Sequence, residues 1–116
     1  MKYIFSFLIF LFIVSNIYAQ VITFKRNYGY LNNDYGQYLQ QTSDGGYIIV
    51  GYTKNPNLYI FECYIVKIDS LGNTDWTKTI GYTDNSTKGA SVFQINNNGY
   101  IITGYTENIY SPWNKY

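Results

Sequence analysis

Asp44-Gly45-Gly46-Tyr47-Ile48-Ile49-Val50-Gly51-Tyr52-Thr53 decides the fold of this chain, because it recurs as Asn98-Gly99-Tyr100-Ile101-Ile102-Thr103-Gly104-Tyr105-Thr106. The displacement is 53 positions, as from Gly46 to Gly99. Each copy joins a turn to an apolar strand. Asp-Gly and Gly-Gly supply the positive φ angles that tight hairpin turns require. The run Ile48-Ile49-Val50 is apolar on both faces, which predicts a central rather than an edge strand. Gly51 leaves a gap in its strand where another backbone or a large ring can approach.

Working outward, short strands are expected at Val21 to Tyr28, Gln37 to Thr42, Tyr47 to Thr53, Phe61 to Asp69 and Thr74 to Ile80, the last anchored by Trp76. The pattern restarts at Lys88 to Ile95 and Tyr100 to Thr106. No window beyond residue 19 shows the spacing and caps of a helix. Alignment of the copies sets Phe24 on Trp76, Gly29 on Gly81, Tyr30 on Tyr82, Gly36 on Gly89, Gly51 on Gly104 and Thr53 on Thr106. One residue is inserted between Gly81 and Gly89, where a loop absorbs it. A repeat of about 50 residues with four short antiparallel strands is the pattern of a β-propeller blade. The expected fold is therefore all-β, with a leading strand at 21–28, a blade at 35–80 and a partial blade at 88–116. Two blades do not close a ring of the usual four to eight or so, so a fragment of a larger ring is expected, with assembly of copies as the alternative.

The pattern Thr42 to Thr53, then Tyr64-Ile65-Val66-Lys67-Ile68-Asp69-Ser70-Leu71-Gly72-Asn73, then Trp76-Thr77-Lys78-Thr79-Ile80-Gly81 resembles the propeller-type repeat of secreted Bacteroidota surface proteins. The resemblance implies a many-bladed, exported or cell-surface architecture, and it carries little about chemistry.

Composition bounds the function. Eight Lys+Arg against seven Asp+Glu, with charged residues at 13%, give no field to attract nucleic acid or an anionic membrane. There is no His, which removes the commonest general base and metal ligand. Tyr accounts for 15 of 116 residues, which suits pleated, half-buried surfaces. Cys63 has no cysteine partner in the chain and, set in an apolar run, reads as a small buried hydrophobe. Met1 to Ala19 reads as a secretory signal: Lys2 is the positive head, Ile4 to Val14 the apolar run, and Ala19 closes the cleavage site before Gln20. The apolar run is shorter than the roughly 20 residues a spanning helix needs.

No catalytic, cofactor-binding or metal-ligating set is expected. Asp69 to Asp75 offers oxygen donors but lacks the ligand alternation of a calcium loop, and reads as a hairpin turn. Asp34, Asp44 and Asp84 have no spacing that pairs them on one face. Aromatic rings near strand ends are the candidates for stacking on a sugar or packing on a protein partner: Tyr30, Tyr35, Tyr59, Tyr82 and Trp113 foremost, with Tyr28, Tyr52 and Tyr105 beside them. The leading expectation is an exported, non-enzymatic binding or structural module at the cell surface, partnered by further blades, a protein or a glycan. The alternatives are a piece of a secreted propeller enzyme acting on glycans, or a two-blade lectin-like unit that oligomerises.

Overall fold

A computed structural model describes residues 23–29, 33–96 and 99–109. Six strands and no helix occur among them: β1 (Asp34–Gln41), β2 (Tyr47–Lys54), β3 (Phe61–Ile68), β4 (Thr74–Ile80), β5 (Asn85–Ile95) and β6 (Gly99–Asn108). β1 to β4 form one antiparallel sheet in sequential order, and β5 and β6 form a second. As the apolar run predicts, β2 is internal, held between β1 and β3.

The sequence repeat is a repeat of geometry. Asp34 faces Thr53 as Thr87 faces Thr106, Gly36 faces Gly51 as Gly89 faces Gly104, and Leu39 faces Ile49 as Val92 faces Ile102. A bulge follows the glycine in each copy, between Gly36 and Tyr38 and between Gly89 and Ser91. A side chain at Gly51 would overlap the Tyr35 carbonyl, and one at Gly104 would overlap that of Lys88. Both glycines are thus required by a neighbouring backbone, which is one of the two approaches the sequence suggested.

Two hairpin loops share one design. Gly45 N–H donates to the Thr42 carbonyl and Thr42 N–H to that of Gly46, while Gly72 and Asp69 make the same pair of bonds with Asp69 and Asn73. Gly45 (φ 82°) and Gly72 (φ 83°) supply the left-handed residue that closes a three-residue loop. Gly46 does not share that conformation. Its glycine is needed because a β-carbon would strike the Ile68 carbonyl.

Side chains alternate across a strand, so Ile48, Val50, Cys63 and Ile65 share one face of the first sheet. Val92 of β5 completes that buried cluster, and Tyr100 and Ile102 pack against it. Each such aliphatic residue contributes roughly 1.5–3 kcal/mol through burial. The two sheets are also tied by Ser43 N–H to Gln94 Oε1 and Gln94 N–H to Gln40 Oε1, both 2.8 Å.

Three expectations are corrected. Residues 23–28 of the leading segment form no strand; they hold to the sheet by side chains instead. The Phe24 ring lies over Gly72 and edge-on to Tyr47 at 6.3 Å, and Tyr28 Oη donates to the Gly72 carbonyl at 2.8 Å. Trp76 does not anchor β4. Every residue of that strand is exposed, and the indole stands edge-on to Tyr100. β5 begins at Asn85, three residues earlier than its apolar pattern shows, because Ser86 is buried and accepts a bond from Phe61 N–H. The proposed signal at 1–19 and the chain beyond residue 109 lie outside the described residues.

Candidate aromatic and lysine cleft

One group of aromatic residues gathers at an end of the paired sheets. Register sets Tyr35 opposite Tyr52, and their rings stack at 4.8 Å with planes 22° apart. Phe61, at the start of β3, stands edge-on to both, at 5.2 Å from Tyr52 and 6.1 Å from Tyr35. Lys88 of β5 extends its ammonium over this group, 5.2 Å from Phe61, 5.4 Å from Tyr52 and 5.5 Å from Tyr105. Each contact of this kind is worth about 0.5–1 kcal/mol at an exposed site. Glu107 Oε2 accepts from Lys88 Nζ at 2.9 Å, and this hydrogen bond raises the lysine's pKa above its ordinary value.

Beside Lys88 lies a cleft of about 330 Å³, between the end of β4 and the β5–β6 hairpin. Its walls include Ile80, Tyr82, Thr87, Tyr105 and Thr106, with buried Cys63 deep in it. The Thr87 hydroxyl is buried and has no hydrogen-bond partner among the described residues. Burial raises the pKa of the Cys63 thiol, which disfavours the thiolate. The cleft therefore offers ring edges, hydroxyls and a paired ammonium, which is a set suited to stacking and hydrogen bonding.

The structure separates the residues the sequence nominated. Tyr82 lines the cleft and is 64% exposed. Tyr35 belongs to the aromatic stack that carries Lys88, behind the cleft rather than in it. Tyr59 is elsewhere. It is 80% exposed at φ 57°, with Lys54 Nζ 5.5 Å from its ring. That loop is fixed by Asn55, whose Oδ1 accepts from Asn57 and Leu58 N–H, and by buried Ile60. Tyr30 and Trp113 lie outside the described residues.

Lys88, Thr87 and Phe61 were not nominated. A signal existed for Lys88: the repeat sets it in the place of Tyr35, so a cation stands where the first copy has a ring. The Asp69 loop is a turn in the structure. Asp69 Oδ1 accepts from Leu71 and Asn73 N–H, and Asp75 pairs with Lys67. No group of three or more metal-ligating side chains occurs among the described residues. No protein-family model, curated protein or solved structure matches this chain.

Proposed function

We propose that the chain is an exported, non-enzymatic repeat module with blade-like sheets of the β-propeller kind, and that its aromatic and lysine cleft binds a glycan at the cell surface. The observation that carries the binding reading is the juxtaposition of Tyr82, Tyr105, Lys88 and Thr106 around one open cleft. A sugar presents an apolar ring face and a rim of hydroxyls, and these groups complement both. The N-terminal pattern of Lys2, Ile4 to Val14 and Ala19 supports export, and the exact recurrence of strand register supports blades.

The test is to recover the chain from the exported fraction, read its N-terminus, and titrate it with a panel of neutral and acidic oligosaccharides by calorimetry. An N-terminus at Gln20 and saturable binding are expected, with Tyr82→Ala and Tyr105→Ala each weakening binding by about tenfold or more, as loss of one stacking ring gives. Retention of residues 1–19 refutes the export reading. Absence of binding across the panel, or binding indifferent to both substitutions, refutes the cleft.

A further inference from the structure

We propose that the two outer sheet faces form a head-to-tail docking pair that takes a second copy of this chain. The inference stands on the packing between the two repeats and is independent of the glycan reading.

Inside the molecule, the Ile48 and Val50 face of the first sheet receives the Val92 and Ile102 face of the second. The repeat gives each sheet both kinds of face, and one face of each sheet is not covered by the other sheet. On the second sheet, Ile101 and Thr103 stand where Ile48 and Val50 stand on the first. Ile48 is 0% exposed and Ile101 is 52% exposed. On the first sheet, Leu39 and Ile49 stand where Val92 and Ile102 stand on the second. Val92 is 0% exposed and Leu39 is 54% exposed.

The glycines report the same vacancy. A β-carbon at Gly89 would strike Val50 and Cys63, whereas at Gly36 it would meet nothing within 4 Å among the described residues. The space above Gly36 is thus open where its counterpart is filled by the neighbouring sheet. The segment containing Phe24 and Tyr28 covers part of that face, with Phe24 at Tyr47 and Gly72 and Tyr28 at the edge of the space lined by Gly36, Ile49 and Gly51, and leaves Leu39 uncovered. In the assembly, Leu39 and Gly36 of one copy meet Ile101 and Thr103 of the next, as Val92 and Gly89 meet Ile48 and Val50 within the chain. A head-to-tail contact does not consume itself in a dimer, so it propagates to larger species or to a closed ring.

The test uses the purified chain and two substitutions, Leu39→Arg on one face and Ile101→Arg on the other, with mass measured by analytical ultracentrifugation over a concentration series. The unsubstituted chain is expected to grow past the dimer. Each variant alone is expected to stay monomeric, and an equimolar mixture to form a dimer and nothing larger, because only one intact interface remains between them. A monomeric parent, a variant that still self-associates, or a mixture that stays monomeric overturns the proposal. Far-ultraviolet circular dichroism checks each variant's sheet content. If either is misfolded, Gly36→Val and Thr103→Arg probe the same faces and are read by the same outcomes.

Discussion

Lys67 is a buried cation answered by two half-exposed carboxylates. Its Nζ lies 2.9 Å from Asp44 Oδ2 and 3.1 Å from Asp75 Oδ2, and donates to the Ile68 carbonyl at 3.0 Å. Burial disfavours the charge, yet the hydrogen bonds and field of the two acids prevail, and its pKa lies above the ordinary lysine value. The acids and the cation are not equivalent as targets. Removing both carboxylates strands a buried ammonium, whereas replacing the lysine by an apolar chain removes the charge that needed them. Asp44→Asn with Asp75→Asn is expected to lower the melting temperature by several degrees, and Lys67→Met to change stability by no more than about 1.5 kcal/mol. Equal losses in the two variants, measured by thermal denaturation, would show that the ion pairs rather than the burial set the energetics.

At the scale of elements, the two hairpin loops allow a controlled comparison. Gly45 and Gly72 have the same left-handed conformation, but their surroundings differ. Among the described residues, a β-carbon at Gly45 would meet only Ser70 at 3.9 Å, whereas at Gly72 it would collide with the Phe24 ring. Gly45→Ala is expected to cost about 1 kcal/mol, the strain of a β-carbon at positive φ. Gly72→Ala is expected to cost about 1–3 kcal/mol more, because it also displaces Phe24 from the sheet. Chemical denaturation measures both, and equal costs would mean that Phe24 contributes nothing to holding the leading segment. The repeated bulge and Gly-Gly pairing show why elements recur here: close backbone approach, not chemistry, fixes those positions.

For the whole molecule, shifted ionisations define a pH window. Hydrogen bonds from Thr42, Lys67 and Gly46 hold the Asp44 carboxyl far below the usual range, and those from Asn73 lower Asp69. A depressed carboxyl stabilises the fold above its unfolded value, near pH 4, and loses that contribution as pH falls further. The raised Cys63 thiol and the raised Lys67 and Lys88 act oppositely. Their contributions are complete below the unfolded values, about 8.5 for the thiol and 10.4 for lysine, and are lost as pH rises through the folded ones. Calorimetric melting temperatures should therefore be level from about pH 5 to 8 and fall on both sides. A melting temperature that rises on acidification to about pH 3 contradicts the assignment of Asp44 and Asp69.

The all-β class, the repeat, the central place of β2 and the hairpin turns were legible in the residues, because they rest on local pattern: apolar runs, turn glycines and a fixed offset. Cys63 was legible as a buried hydrophobe for the same reason. The leading segment reads as a strand because Phe24 and Tyr28 look alike in sequence whether they lie in a ladder or on a face, and the contacts with Gly72 place them on a face. Of the nominated rings, Tyr82 reached the cleft and Tyr59 did not, because the turn at Asn55 and the burial of Ile60 direct it away. Lys88 became part of a site only when β5 crossed the first sheet and brought it to Tyr52 and Phe61, which precede it by many residues. Sequence by itself determined the repeating unit, since a strand and its turn are encoded in neighbours. Tertiary structure alone decided which faces are covered and which rings converge, since packing depends on groups that are distant in the chain.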